Sequence, residues 1–454
     1  MTPVPRVLML AFEFPPLTGI GVVRSLKLAK YLPEFGITPV VVTADAPSLA
    51  AWFGRPSDET PLDELSAEVA IHRVPCPAPS LPISLPARRL RKAFSLDDED
   101  IGDHWEPRLS AVWEDVIAAA KPDALYVSLP PFSIATVAVA LARRSRLPLI
   151  VDFRDAWSQW GNRRYLSPLH YQLLLRRERR VLAAAAAIVM TTRQIAVELQ
   201  SVHPNVDPEK FHVVSNGYDA ELPEVAQPSR VSDLTDRFVV GYVGSFYYQP
   251  PRATHAAWRL LTRWLEYAPR REDWRYRTPY FFFRALRVLF ERRPELRSRV
   301  RVRFVGDDED WLRAQVAEFG LGDVVEHLGR LSHAKTLAFQ SSCDALLATS
   351  AKTIGGRDQF IAGKTFEYIA AGRPIISFAA EGEQRDFLAQ SGVAAICNPD
   401  DAESAATALE GVISRQFLPC QDRAFLHSFH RREIARQMAR VMATTWTSNT
   451  PASR

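Results

Sequence analysis

Short apolar runs alternate along the chain with longer stretches of helical period, the pattern of strands joined by crossover helices in a parallel sheet. In the first half the runs 7–10, 39–43, 124–128, 149–153, 187–190 and 211–214 read as strands. In the second half the runs 239–243, 300–305, 324–328, 345–348, 374–378 and 394–397 repeat the pattern. The fold class expected is α/β, with two doubly wound, Rossmann-like units. The segment 219–237, DAELPEVAQPSRVSDLTDR, breaks the alternation with prolines and charges and reads as an interdomain linker. Residues 1–218 are therefore expected to form an N-terminal domain and 238–420 a C-terminal one. A C-terminal helix within 421–454 is expected to pack back on the first domain. Open α/β sheets bind ligands outside the carboxyl ends of their strands, so two such domains are expected to face one another across a cleft with one substrate on each wall.

Composition changes this picture little. At 454 residues, 47% of them hydrophobic, the chain exceeds one typical core, in keeping with two domains. The net charge of +4 is a small excess over a large surface and favours anionic ligands only weakly. No zinc-finger spacing, RNA-recognition signature or basic heptad repeat is present, so nucleic acid is not an expected partner. Cys76, Cys343, Cys397 and Cys420 lie far apart, which suggests neither a zinc site nor a disulfide framework. The N-terminal apolar run ends at an acid and two prolines, unlike a signal peptide, and the longest apolar runs are about half of a membrane span. A cytoplasmic protein is expected.

The first candidate for chemistry follows the first strand, where Glu13 leads through Pro15 and Pro16 to Gly19, Ile20 and Gly21, with Arg24 early in the next helix. Glycines let a backbone approach a ligand, and the helix start offers free N–H groups to an anion. The third glycine of a dinucleotide fingerprint is missing, with Ser25 near its place, and the same residues also suit a plain strand-to-helix turn.

The wider string FEFPPLTGIGVVRSLKLAKYLPEFG resembles the opening of family 4 glycosyltransferases, retaining enzymes of the GT-B fold. LYVSLPPFSIATVAVALARRSRLPLIVDFRDAW resembles the middle of their N-terminal domain. GYVGSFY, VRFVGDDEDW and GKTFEYIAAGRPII resemble successive parts of the C-terminal, nucleotide-binding domain. The resemblance runs in order over most of the chain. It implies transfer of a sugar from a nucleotide-sugar donor to a glycan, lipid-linked or small-molecule acceptor, with retention, no metal and no other cofactor.

In the string 363–374 the resemblance implies the donor-site helix. Glu367 can accept hydrogen bonds from both ribose hydroxyls, and Lys364, one turn earlier on the same face, can reach the diphosphate, with Thr365 beside it. Taken alone, Lys364 and Glu367 would better suit a surface ion pair on an amphipathic helix. Two departures weaken the family pattern. The earlier of two glutamates is replaced by Gln359, next to Asp358, and the cations that follow the glycine turn in many relatives are replaced by Phe246, Tyr247 and Tyr248. Arg252, Arg357 and Lys364 are then the candidates to hold the diphosphate, with Gly244 and Ser245 offering backbone and hydroxyl donors. The alternative is a catalytically impaired nucleotide-sugar binder that serves as partner or regulator of another transferase.

On the acceptor side the candidates are Gly19, Gly21, Arg24 and Arg154, with Asp155 as a catalytic candidate. Arg154 and Asp155 lie in DFRDAW at the end of a strand, where they either orient a substrate or form an internal pair fixing the loop. The acidic runs 97–100 and 307–310 read as solvated loops or helix starts. Two basic amphipathic stretches, 85–94 and 171–181, suit either a core-packed helix or peripheral contact with an anionic membrane. The aromatic region 258–283 reads as an insertion in the C-terminal domain.

Overall fold

The computed structural model describes residues 4–54, 57–78, 101–161, 163–223, 237–248 and 266–447. These fall into two compact units. One takes the described residues of Met1–Asn216, Ala256–Pro269 and Arg431–Arg454, the other those of Gly217–His255 and Arg270–His430.

The first unit holds a parallel sheet of β1 (Arg6–Leu10), β2 (Thr38–Ala44), β3 (Ala70–Val74), β4 (Ala124–Leu129), β5 (Leu149–Phe153), β6 (Ala187–Met190) and β7 (Phe211–Val213). Their order is β3-β2-β1-β4-β5-β6-β7, so the chain direction across the sheet reverses between β1 and β4. Strands β4, β5 and β6 are buried on both faces, which is why they appear in sequence as unbroken apolar runs. β3 carries no such signal. It is an edge strand with only Val74 buried, and His72 and Arg73 interrupt its apolar pattern.

The second unit contains β8 (Phe238–Val243), β9 (Glu272–Asp273), β10 (Val300–Val305), β11 (Val325–His327), β12 (Ala345–Thr349), β13 (Lys352–Thr353), β14 (Ile375–Phe378) and β15 (Ala394–Ile396). Six of them form a parallel sheet in the order β11-β10-β8-β12-β14-β15, which reverses between β8 and β12. β9 and β13 pair antiparallel as a separate ribbon. Both sheets are thus doubly wound and Rossmann-like, the α/β architecture of GT-B proteins.

Three segments sit differently from their sequence reading. Tyr218, counted with the first domain, is buried in the second unit, where its hydroxyl donates to the Leu426 carbonyl at 3.0 Å. Residues 421–430 also belong to the second unit, while the helix Arg431–Thr447 supplies Ile434, Ala435, Met438 and Met442 to the core of the first. The aromatic region is not an insertion throughout. Phe281, Phe282 and Phe283 lie on the helix Tyr280–Arg292 and are buried in the main core of the second unit, each contributing on the order of 1.5–3 kcal/mol by burial.

The stretch 171–181 lies in the helix Pro168–Ala184. Tyr171, Leu174, Glu178, Val181 and Leu182 face inward, while Arg176, Arg179 and Arg180 are exposed. The buried Glu178 accepts from the hydroxyl of Ser158 at 2.5 Å and meets Nε2 of His203 at 2.7 Å, so this helix is pinned by polar as well as apolar contacts. The other basic stretch, 85–94, and the acidic run 97–100 lie outside the described residues. In the run 307–310, Asp307 pairs with Arg330, Asp308 pairs with Arg313, Glu309 precedes a helix without capping it by its side chain, and Asp310 begins that helix. Among the described residues no helix is long and apolar enough to cross a membrane.

Candidate functional site

The second unit gathers its chemistry where the sheet order reverses, at the carboxyl ends of β8 and β12. This is the position at which open parallel sheets leave a crevice for a ligand. The chain leaves β8 through Gly244, whose φ of 94° is strained for any residue with a Cβ, and Gly244 N–H donates to the Val305 carbonyl at 2.8 Å. Gly306, at the end of the adjacent β10, has φ 152°, and a Cβ there would lie 2.8 Å from the Gly244 oxygen. Two glycine turns therefore meet and leave the exposed Gly244 backbone uncovered.

The helix Gly363–Ala370 brings Lys364 to this turn. Its Nζ donates to the hydroxyl of Tyr242 at 2.5 Å and to the Ser245 carbonyl at 3.5 Å. Burial, then the positive charge of Arg277, push the Lys364 ammonium down to about 7, against the opposing pull of Glu367. Glu367 is half-buried on the same helix face and accepts from Nε2 of Gln340 at 3.1 Å. Tyr242 stacks on Phe246 with ring centres 3.9 Å apart, so one of the aromatic residues after the glycine turn backs the tyrosine that Lys364 meets. Tyr368 reaches back from the helix, and its hydroxyl accepts from the Val243 N–H at 2.9 Å.

Several sequence candidates are placed elsewhere. The Thr365 side chain is fully buried and donates to the Gln384 carboxamide oxygen at 3.2 Å, so its hydroxyl belongs to the core and not to a ligand face. Arg357 is exposed and paired with Asp386 of the helix Glu383–Ser391. Gln359 is wholly buried, and Asp358 nearly so. Burial raises the Asp358 carboxyl to about 6, with Arg277 opposing and Glu272 adding to the shift. Ser245 is half-buried, and its Oγ accepts from the Tyr247 N–H at 3.1 Å. Arg252 lies outside the described residues.

In the first unit the loop after β1 sits at the matching reversal point, between β1 and β4. Gly19 caps the helix Ile20–Tyr31. A Cβ on Gly21 would fall 2.3 Å from Oε2 of Glu13 and 2.4 Å from Nη1 of Arg154, so glycine here makes room for an ion pair. Arg154 Nη2 donates to Glu13 Oε1 at 3.0 Å, and its Nε donates to the Leu129 carbonyl at 3.2 Å. Asp155 is half-buried beside it.

Arg24 is not an open acceptor-side cation. It is buried, grips both oxygens of Asp152 at 2.7 and 3.0 Å, and donates to the Ser215 and Val214 carbonyls. Burial opposes its charge, but the Asp152 carboxylate outweighs this and raises its pKa. Tyr126 donates to the same carboxylate. Arg24 thus ties the first helix to the sheet.

Sequence reasoning named Glu13 only as the start of its loop, and missed Tyr242, Gln340 and Arg277. Tyr242 and Glu13 stood inside quoted strings, but Gln340 and Arg277 come from distant segments with no local signal. Among the described residues there is no cluster of three metal-ligating side chains.

Residues 18–217 match the family model described as a glycosyl transferase 4-like domain, and residues 280–415 match that of glycosyl transferases group 1. No curated protein matches the chain. Among solved structures it is similar to sucrose-phosphate synthase from Thermosynechococcus elongatus, at 14% identity and TM-score 0.60, covering 98% of this chain and 100% of that one. It is also similar to Anabaena HepE in complex with UDP, at 16% identity and TM-score 0.58, covering 97% and 100%. A third is α,α-trehalose 6-phosphate synthase from Burkholderia multivorans, at 12% identity and TM-score 0.62, covering 99% of each.

Proposed function

We propose that this chain, a glycosyltransferase with a 4-like domain and a group 1 domain on a GT-B fold, moves a sugar from a nucleotide-sugar donor to an acceptor with retention and without a metal. The observation that carries the donor assignment is the convergence of Lys364, Tyr242, Glu367 and the bare Gly244 backbone at the reversal point of the second sheet. Glu367, steadied by Gln340, takes the ribose hydroxyls. Lys364 and the Gly244–Ser245 backbone take the diphosphate, which gains negative charge as it leaves. Stabilising that charge is the main catalytic contribution. The donor phosphate accepts the acceptor's proton, so no side chain is assigned as base.

The reading places the acceptor, a glycan, lipid-linked or small molecule, with the first unit. There Gly21 leaves room for the largely buried Glu13–Arg154 pair beside Asp155. Anabaena HepE, a similar fold, was solved with UDP and with UDP-glucose, which makes uridine the first base to try. The protein is proposed to work in the cytoplasm, in peripheral contact with the membrane when the acceptor is lipid-linked.

A thermal-shift panel of UDP-, GDP- and TDP-sugars against the wild type and Glu367→Ala tests the donor site. Stabilisation by one nucleotide class, lost in the variant, supports it. If millimolar concentrations of every nucleotide sugar leave the wild type unshifted, the donor assignment fails. A second reading rests on Gln359, which puts a neutral, wholly buried amide where relatives carry a carboxylate. In that reading the donor binds but is not turned over. Donor hydrolysis and transfer assays separate the two.

A further inference from the structure

We propose that one face of the first unit, built on Trp160, Leu169 and Leu173 with Arg176 and Arg180, seats this protein on an anionic lipid bilayer. The proposal rests on the peripheral membrane contact named in the reading above, gives that contact a surface, and does not depend on the donor site.

On the helix Pro168–Ala184, Leu169, Leu173, Arg176 and Arg180 recur at spacings of three and four, so they form one stripe. All four are exposed, Leu169 to 64%, and Arg179 is exposed beside them. Trp160 and Leu166, in the loop that leads into the helix, are exposed as well. Among the described residues twelve large apolar side chains are exposed, and four of them fall within residues 160–173. That is a concentration, unlike the single exposed apolar residues scattered over an ordinary protein surface.

The patch is preformed, because its loop is laced to its helix. The Ser158 N–H and hydroxyl both donate to Glu178, at 3.1 and 2.5 Å, and Gln159 donates to the Tyr171 hydroxyl at 2.7 Å. The Tyr165 hydroxyl donates to the Ser158 carbonyl at 3.0 Å. Glu178 is the only acid of the helix, and these bonds, with His203, keep it buried. Arg176, Arg179 and Arg180 make no ion pair among the described residues. Arg164 meets Glu266 at 3.6 Å and adds less to the charge. The helix Ile134–Ser145, tied on by a bond from Arg177 Nε to the Thr136 hydroxyl at 2.9 Å, brings no acid either.

This charge pattern chooses the occupant. A second copy meeting the same face across a two-fold axis would set arginine against arginine. An anionic bilayer takes both kinds of side chain. The leucines and the indole enter the boundary of headgroups and acyl chains, while the arginines meet lipid phosphates. At about 1.5 Å per residue, Arg176 and Arg180 lie roughly 10 to 17 Å along the axis from Leu169, so a tilted helix dips its first turns and keeps its arginines at headgroup level. The loop that carries Trp160 begins with Arg154 and Asp155, the acceptor-side candidates, so this seat favours a lipid-linked acceptor.

The test is sedimentation of the full chain with vesicles of phosphatidylcholine alone and with vesicles one third phosphatidylglycerol, without nucleotide. The wild type is expected to bind the anionic vesicles and not the neutral ones. Arg176→Gln, Arg179→Gln and Arg180→Gln together weaken that binding about a hundredfold, at about fivefold per arginine. Leu169→Ser with Leu173→Ser weakens it by roughly tenfold or more. A control that changes three exposed arginines of the second unit, Arg287→Gln, Arg292→Gln and Arg299→Gln, keeps it. Unaltered urea midpoints establish that each variant is folded. Equal binding to both vesicles, binding kept by either face variant, or an equal loss in the control overturns the inference. So does a dimer in sedimentation velocity that the leucine variant abolishes, which gives the face to a second copy. The thermal shift by nucleotide sugar, read on the same variants, is expected to be unchanged, so the donor reading stands or falls separately.

Discussion

The ammonium of Lys364 sits 3.9 Å from the centre of the Tyr242 ring and donates to that residue's hydroxyl. The pair joins the helix Gly363–Ala370 to the end of β8, and it holds a cation in dense surroundings with no ion pair among the described residues. Such a group is poised to change its charge when an anion arrives.

That poise sets a pH dependence. Lys364 falls from 10.5 to about 7 on folding, so between those values the unfolded chain holds a proton that the folded one lacks. Its contribution to stability therefore rises with pH across that window, and the penalty is full below about 7. A bound diphosphate restores the charge. Binding at pH 8 is expected to take up about one proton, shrinking toward zero at pH 6. Titrations in two buffers of different ionisation enthalpy count it, and no uptake at pH 8 would place the anion away from Lys364.

Lys364→Ala is expected to lower the transfer rate by roughly 10²- to 10³-fold, the usual cost of removing one well-placed donor to developing charge. Its urea midpoint is expected to stay level or rise, since the folded state no longer carries a desolvated ammonium. A large fall in stability with unchanged turnover would reverse both assignments.

Arg24 makes the opposite prediction. Both it and Asp152 are buried, so Arg24→Met strands a carboxylate and is expected to cost about 3–5 kcal/mol in urea unfolding. Acceptor KM in the surviving folded protein should be unaltered. A raised KM at full stability would return Arg24 to the acceptor side.

Gly21→Ala drives a Cβ into the ends of Glu13 and Arg154, both about nine-tenths buried at the side chain. Overpacking of this kind costs about 1–3 kcal/mol. The separated ion pair is expected to impair transfer as well, and kcat/KM for the acceptor together with a denaturation curve reads both effects.

Gln340→Leu removes the hydrogen bond that orients Glu367 without touching the ligand. Donor KM is expected to rise roughly tenfold with kcat nearly unchanged, the value of a hydrogen bond to a charged group. An equal fall in kcat would mean that Glu367 acts on the transition state as well.

Much of the fold was legible because buried parallel strands have a simple sequence signature. All twelve expected strands are present, with ends that agree or differ by one residue. β3 escaped because an edge strand need not be apolar, and the β9–β13 ribbon because two-residue strands leave no period to detect. The site was legible only in part. Lys364 and Glu367 share one helix turn, so their spacing of three residues already put them on one face. That same spacing could not show that Thr365 turns into the core toward Gln384, since neighbouring positions on a helix point to different sides.

The sequence by itself determined the alternation of strand and helix, the two doubly wound units and the placing of Lys364 and Glu367 on one helix face, because each depends on local periodicity; their donor-site role is what the family resemblance implies. Tertiary structure alone decided that Arg24 is committed to Asp152 and that Gln340 donates to Glu367. Those relations join residues 27 to 128 positions apart, and charge and burial between such residues exist only once the sheets bring them together.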